Sequence, residues 1–231
     1  MKHLWILVSL LIPCMLFSAT IREIQYTTDA GFDGTYPSLY LNQQVSIEGV
    51  VIAKDFQNDR FIISDQDGGP WSSVCVSGHG TQVEKGQLLA IEGKVLEIHG
   101  MTVIRMQKIS VLSHNSIIPQ AYPVTLYELN NNESFESVLV KVSNVTLAKS
   151  AKPDFPYSIS NNALTSYIGN GFNCLKSINR KFPNRSLNCI SGIISFSNNR
   201  FSLNPRDNDD FVYQTTSTQA SSWGKIKSLY R

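Results

Sequence analysis

The chain has 231 residues, of which 42% are hydrophobic and 16% are charged, and its formal net charge is +2. This composition is typical of a globular protein, and the length suits one large domain or two small ones. Beyond residue 19 no stretch approaches the ~20 apolar residues that a membrane-spanning helix needs, so no such helix is predicted there.

The first 19 residues predict a secretory signal peptide. A short polar start precedes an apolar run at residues 4–17, and the small residues Ser18 and Ala19 follow it. This arrangement is too short and wrongly flanked for a transmembrane helix. We expect cleavage after Ala19 and a secreted, periplasmic or cell-surface location. Cys14 raises the alternative of a lipoprotein, but Pro13 stands where that processing needs a small residue.

Three cysteines remain after such cleavage, and export permits disulfides. Cys174 and Cys189 enclose fourteen residues, and a bridge between them would contribute about 3 kcal/mol through loop entropy. Cys75 lies in an apolar Val-Cys-Val segment, which predicts a buried apolar residue rather than a reactive thiol. No Cys/His spacing resembles a zinc site, and we expect no metal and no cofactor.

Hydrophobic alternation predicts five strands between residues 44 and 113. Residues 20–40 contain Gly31, Gly34 and Pro37, which exclude a long helix, and we expect a lead-in segment packed across a barrel. Residues 85–113 alternate over two arms and predict a long hairpin that turns at His99-Gly100, with a bulge or bend at Gly93. The remaining strands are expected at 44–53, 60–64 and 71–77.

Three strands, a connector and two more strands, with glycines in the first and fourth, match the OB-fold, a five-stranded barrel. The short motifs in this order are VSIEGVV at 45–51, FIISD at 61–65, Gly68-Gly69, VEKG at 83–86, IEGKV at 91–95 and GMT at 100–102. Together they resemble the OB-type repeats of secreted bacterial proteins, which often precede the catalytic domain of extracellular nucleases. The resemblance covers residues 20–118. That family carries a longer catalytic unit downstream, and no segment here is long enough to be one, so nuclease activity is not implied.

A second, divergent copy follows the linker at 119–123. Its strands are expected at 136–149, 157–160, 163–168, 188–194 and 200–203. The sequence therefore predicts an all-β protein with a signal peptide at 1–19, OB-fold-like domains at 20–118 and 122–212, and a linker and tail at 213–231. Residues 223–231 predict a short helix, a candidate address for a surface or export system. We favour a docked or disordered terminus.

The charges predict a basic loop in the second domain. Residues 20–121 carry seven Lys/Arg and eleven Asp/Glu, a net charge of −4, whereas residues 122–212 carry nine and seven, a net charge of +2. The loop between Cys174 and Cys189 contains four cationic side chains and one aromatic ring. Such a loop fits a single nucleic-acid strand, because the cations can neutralise its phosphates and a base can stack on the ring. The alternative, a solvated basic loop, is the reading we favour from the sequence alone. The loop residues are Lys176, Arg180, Lys181, Phe182 and Arg185.

In the first domain the expected ligand face is formed by strands two and three. Arg60, Phe61 and Trp71 lie on or beside these strands. Trp71 follows Gly-Gly-Pro and is a candidate stacking residue, although covering the barrel mouth is the commoner role.

Acidic residues suggest no metal site. The cluster Asp207, Asp209 and Asp210 lacks the alternate spacing and glycine turn of a calcium loop, so we expect it to cap a strand end. Asp65 and Asp67, in the glycine-containing turn, are likewise expected to cap a strand end and not to bind calcium. No nucleophile elbow or His-Glu metal motif is present, and we expect no enzymatic activity. The sequence thus favours an exported binding module for single-stranded nucleic acid or an oligosaccharide. The alternative is a structural or protein-interaction module at the cell surface.

Overall fold

Strands form most of the regular structure. The computed structural model describes residues 16–32, 34–57, 59–78, 83–175 and 185–214. Most of the predicted signal peptide, the basic loop from 176 to 184 and the tail from 215 lie outside the described residues. Within the described part, no helix is both long and apolar enough to cross a bilayer.

The first half of the described chain folds into a six-stranded sheet with one short helix, α1 (Ile21–Gln25). Its strands are β1 (Leu16–Ser18), β2 (Gln44–Phe56), β3 (Arg60–Ser64), β4 (Ser73–Ser77), β5 (Leu88–Ile98) and β6 (Met101–Ser113). Neighbouring strands follow the order β1-β2-β3-β4-β6-β5, and β5 also pairs with β2. The β4–β6 pair is parallel. β1 overlaps the end of the predicted signal peptide, so cleavage after Ala19 would remove it.

The second half contains a closed five-stranded barrel. The described strands of this half are β7 (Tyr122–Pro123), β8 (Leu139–Lys149), β9 (Tyr157–Ser160), β10 (Thr165–Ile168), β11 (Arg185–Ser197), β12 (Arg200–Asn204) and β13 (Phe211–Tyr213). The pairings run β8-β9-β10-β12-β11 and return to β8, with β10 and β12 parallel. The helix α2 (Leu126–Asn131) and short 3₁₀ helices at Glu133–Phe135 and Asn208–Asp210 complete this half. A mostly β fold and a closed five-stranded barrel in this half are therefore confirmed.

The long hairpin predicted around His99-Gly100 is confirmed as β5 and β6. Both turn residues have positive φ angles, 56° and 81°, which match the twist of a tight two-residue hairpin. The register of the pair shifts between Glu92 and Gly93. A Cβ at Gly93 would lie 2.5 Å from the carbonyl oxygen of Arg105. The bulge predicted at Gly93 is therefore confirmed, and close backbone approach explains the glycine.

Each half begins with the same small unit, which the sequence interpretation missed. A short strand pairs in parallel with the long strand β2 or β8, and a capped helix follows it. Thr20 caps α1 and Thr125 caps α2, and in each case the third helical residue, Glu23 or Glu128, completes a capping box. The Thr-x-x-Glu pattern was visible in both copies and predicts a helix start.

Side chains in β3 and β4 alternate between two buried environments. Phe61 and Ile63 of β3 and Val76 of β4 pack inside the first half. The intervening Ile62 and Cys75 are adjacent in the sheet and fully buried on its opposite face. Both faces of these strands are therefore covered. The predicted burial of Cys75 is confirmed, and burial raises the pKa of its thiol to about 12.

An apolar cluster shared by the two halves covers the outer face of β3 and β4. Leu139 of β8 and Ile193 of β11 are neighbours in the barrel and supply its side of the contact. At one end the rings of Phe56 and Phe172 lie 5.1 Å apart. The buried members are Ile52, Ala53, Phe56, Ile62, Cys75, Met101, Val103, Leu139 and Ile193. The two halves are thus packed through a common core.

Hydrogen bonds cross the same boundary. Arg206 donates from Nη1 to the carbonyl oxygen of Ile52 at 3.2 Å. The backbone N–H of Trp71 donates to the carbonyl oxygen of Ser134 at 2.7 Å. Because directional bonds add to the apolar contact, they fix the orientation of one half against the other.

The predicted Cys174–Cys189 disulfide is wrong in this structure. Both residues lie in the described part, and their thiols are not bonded to each other. Cys174 donates its S–H to the carbonyl oxygen of Pro205 at 3.0 Å, whereas Cys189 lies within β11, opposite Ser143 of β8. A fourteen-residue spacing makes a loop that can be closed, but it does not bring two Cβ atoms to bonding distance.

Phe56 tests the shared core. We expect Phe56→Ala to lower the free energy of unfolding by roughly 3–5 kcal/mol, because it leaves a cavity among buried apolar side chains. Urea denaturation followed by circular dichroism measures the loss. Val111→Ala is the control, since Val111 is 46% exposed and should change stability by less than about 0.5 kcal/mol. A loss below about 1 kcal/mol for Phe56→Ala would contradict this contact.

Candidate functional site

The face expected from the sequence to bind a ligand is covered in the first half. It corresponds to β3 and β4, the predicted second and third strands. Its outward residues include Ile62 and Cys75, which have no exposed surface and pack against the barrel residues Leu139 and Ile193. A ligand would have to displace the second half of the chain to reach this face. The face is therefore structural in this arrangement.

The structure separates the three site residues predicted in the first half. Arg60 lies at the start of β3 and donates from Nη1 to Gln57 Oε1 at 3.0 Å. Phe61 is 3% exposed within the core, so its ring has no free face for a ligand. Trp71 lies in the turn before β4, at the opposite end of β3 from Arg60, and not in the predicted strand. They do not form one site.

The corresponding face of the closed barrel is open to solvent. On β9 and β10, Ile159 and Ile168 point into the barrel core. The alternating residues on the outer side are polar or aromatic and partly or fully exposed. Together with Arg200 of the adjacent β12 they define the Tyr167 surface. Its members are Ser158, Ser160, Thr165, Tyr167 and Arg200.

Tyr167 contacts both an aromatic ring and a cation. Its ring centroid is 5.2 Å from that of Phe155, which is buried. The guanidinium carbon of Arg200, an exposed residue, lies 5.3 Å from the Tyr167 centroid. This distance is within the range of a cation–π contact. Phe155 and the parallel β10–β12 pairing position both groups, so the surface is held by the barrel itself.

Two loops border the Tyr167 surface, in the positions where OB-folds carry their ligand-contacting loops. The β8–β9 loop carries Lys152 and Asp154, and the β11–β12 loop contains Asn198 and Asn199. Asn198 donates to Asp154 Oδ2 in a long hydrogen bond of 3.5 Å. The sequence interpretation missed Tyr167 and Arg200, although an aromatic residue on the third strand and a cation opening the fifth were visible signals.

Only part of the predicted basic loop can be placed. Lys176, Arg180, Lys181 and Phe182 lie outside the described residues. Arg185 is the exposed first residue of β11, and its guanidinium lies 5.8 Å from the ring centroid of Tyr213. This contact is separate from the one between Arg200 and Tyr167.

The acidic residues near the chain end have structural partners. Asp207 accepts a hydrogen bond from the backbone N–H of Asp209 and caps the second 3₁₀ helix, whereas the sequence predicted a strand-end cap. Asp207 also pairs with Lys85 at 3.0 Å, and Asp210 pairs with Arg206 at 2.8 Å. Among the described residues no group of three or more His, Cys, Asp or Glu side chains could hold a metal ion.

A carboxyl cluster is buried where the two halves meet. Glu136 is 3% exposed, and its Oε1 accepts a hydrogen bond from the Thr102 N–H at 3.0 Å. The Thr102 hydroxyl donates to Glu97 at 2.8 Å. Burial raises the pKa of Glu136 well above its usual range, and the negative charges of Glu133 and Glu97 add to the effect. Burial, with a contribution from Glu97, raises the pKa of Glu133 to about 8.

Comparisons with known proteins find only weak similarities. The sequence matches no protein-family model and no curated protein. The hypothetical protein YgiW from E. coli is 16% identical, with a TM-score of 0.27 over 32% of this chain and 80% of that chain. A single-stranded DNA binding protein from Thermus aquaticus, studied as a deletion mutant, is 14% identical, with a TM-score of 0.23 over 79% and 98%. A putative aspartyl-tRNA synthetase from Leishmania major is 10% identical, with a TM-score of 0.30 over 49% and 23%.

The carboxyl cluster predicts a stability that falls as the pH rises. Glu133 and Glu136 have folded pKa values above the unfolded value of 4.5, so the folded state binds more protons than the unfolded state above that pH. We expect the free energy of unfolding to decrease from pH 5 to pH 8. Glu136→Gln keeps an acceptor for Thr102 and should raise the free energy of unfolding at pH 8 relative to the parent protein, because it removes the buried group whose pKa is raised.

Urea denaturation at pH 5, 6.5 and 8 measures this difference. Glu48→Gln, which changes an exposed carboxyl on β2, is the control and should follow the parent protein at each pH. Parallel pH profiles for Glu136→Gln and the parent protein would show that Glu136 does not cause the decline.

Proposed function

We propose that this chain is an exported, non-catalytic OB-fold binding protein that holds single-stranded nucleic acid on the Tyr167 surface. The observation that carries the proposal is a contrast between two corresponding faces, one formed by β3 and β4 and the other by β9 and β10. The face of β3 and β4 is buried under the barrel, whereas that of β9 and β10 is open and presents an aromatic ring with a cation. Export rests on the leader-like sequence of residues 1–19.

The chemistry of the Tyr167 surface suits a flexible polyanion. A nucleobase would stack on the Tyr167 ring, a contact that tolerates every base because each has a π face. Arg200 would neutralise the adjacent phosphate, and the hydroxyls of Ser158 and Thr165 would supply further hydrogen bonds. Lys149 and Lys152 are exposed at the nearby β8–β9 connection and would extend the positive charge along the strand.

The first half serves as a scaffold in this proposal. Its long strands pair in the order β2-β3-β4-β6-β5 and back to β2, so we regard it as a second OB-type barrel whose ligand face has become a packing surface. Its net charge of −4 for residues 20–121 makes it a poor phosphate binder. The arrangement fits an accessory module related to the repeats beside extracellular nucleases.

A structural or interaction role at the cell surface is the second candidate. Exposed apolar residues near the end of β6 favour it: Val111 and Leu112 are 46% and 50% exposed, and Ile117 beyond the strand is 82% exposed. In that case the barrel would act as a spacer, and the tail from residue 213 would contact a surface or export system.

Oligonucleotide binding tests the first candidate. Binding of a labelled oligothymidine of about fifteen nucleotides to the intact chain is measured by fluorescence anisotropy across a salt series. We expect salt-dependent binding that Tyr167→Ala weakens at least about fivefold, since stacking contributes ~1–3 kcal/mol per base. Arg200→Ser should reduce the slope of log affinity against log salt by about 0.7, the value for one phosphate contact on a single strand.

Arg105→Ser is the matched control, because Arg105 is an exposed arginine on β6 of the first half. It should bind like the parent protein. Undetectable binding at low salt, or equal losses for Arg105→Ser and Arg200→Ser, would contradict the proposal. Binding of a neutral oligosaccharide with no binding of the oligonucleotide would assign the surface to the other OB-fold ligand class.

A further inference from the structure

Trp71 has an unusual backbone conformation that its surroundings hold in place. Its φ angle is 65°, in the left-handed region that a bulky residue rarely adopts. The N–H of Trp71 donates to the carbonyl oxygen of Ser134, in the second half of the chain, at 2.7 Å. Its ring meets that of Tyr26 edge-on, with centroids 5.5 Å apart and planes at 72°. Both halves thus keep the indole in one position.

The indole borders a cleft that lies outside the Tyr167 surface. The cleft has a volume of about 480 Å³ and lies between the start of α1 and the β3–β4 turn. Trp71 is partly exposed there. The other principal lining residues are Arg22, Asp65, Asp67, Pro70 and Ser72. An aromatic wall with a few polar groups is the usual composition of a small-ligand site.

The charges in the cleft favour a cation. In the uncleaved chain Asp65 and Asp67 carry two negative charges against the single positive charge of Arg22, and cleavage after Ala19 would add the α-ammonium group of Thr20, which also lines the cleft. Within the described residues neither aspartate forms an ion pair. The Arg22 guanidinium lies 5.8 Å over the Tyr26 ring. Partial burial, reinforced by Asp67, raises the pKa of Asp65. A bound cation would stabilise the charged form of Asp65 and would offset its repulsion by Asp67.

We infer that this cleft binds an alkylammonium group, with the cation against the Trp71 ring and the two aspartates. Tryptophan is the strongest aromatic partner for such cations, and desolvated sites favour the contact most. The group comes either from a quaternary ammonium compound or from a lysine side chain, since both present the same charge on an apolar stem. This site is independent of nucleic-acid binding by the Tyr167 surface.

Titration with matched probes tests the inference. Choline chloride and Nα-acetyl-lysine methylamide represent the two sources, and 3,3-dimethyl-1-butanol is the uncharged isostere of choline. Calorimetry on the intact chain should give binding of at least one cation, at least about tenfold tighter than the isostere. The cation that binds more tightly identifies the source. Equal binding of choline and its isostere, or no binding of either cation, would overturn the inference.

Variants separate a binding role from a structural one. Asp65→Asn and Trp71→Leu should each weaken binding about fivefold or more, and Trp71→Phe, which keeps an aromatic ring, should weaken it less. Arg22→Gln removes the competing positive charge and should tighten binding about twofold or more. Glu48→Gln, at an exposed position on β2, is the control. A weaker Arg22→Gln complex, or equal effects of Asp65→Asn and Glu48→Gln, would also overturn the inference.

Discussion

The apolar contact between the outer face of β3 and β4 and the barrel strands β8 and β11 determines the rest of the molecule. Ile62 and Cys75 on one side and Leu139 and Ile193 on the other are almost completely buried. The hydrophobic effect acts on every part of this area that is removed from water. Because the contact covers the face of β3 and β4 and leaves that of β9 and β10 open, it decides which of the two faces is exposed to solvent.

The same contact brings polar groups together that are distant in the sequence. Trp71 reaches the carbonyl oxygen of Ser134, and Thr102 bridges the carboxyls of Glu97 and Glu136. The aromatic cleft and the buried acids therefore lie near the junction of the halves. The Tyr167 surface, in contrast, depends on local barrel geometry, because Phe155, Tyr167 and Arg200 come from adjacent strands and their loop.

Much of the strand pattern was predictable because alternating apolar and polar residues indicate a strand with one buried face. The hairpin at His99-Gly100 and the bulge at Gly93 followed from this pattern and from glycine chemistry. The interface was harder to predict, yet the apolar run Phe61-Ile62-Ile63 is what a strand buried on both faces contains. The Cys174–Cys189 pairing failed because spacing along a chain does not determine distance in space. Tyr167 and Arg200 are distant in the sequence, and only the parallel pairing of β10 with β12 brings them together.

The shared core has a practical consequence for anyone who dissects this chain. Cutting in the connection between β6 and β7 would give two fragments, each with half of the apolar contact facing water. Exposed patches of this kind promote self-association, and the fragment containing β3 and β4 would also regain access to a face that the intact chain conceals. Ligands captured by that fragment would therefore report on an artificial surface, so the undivided polypeptide is the appropriate material for interaction studies.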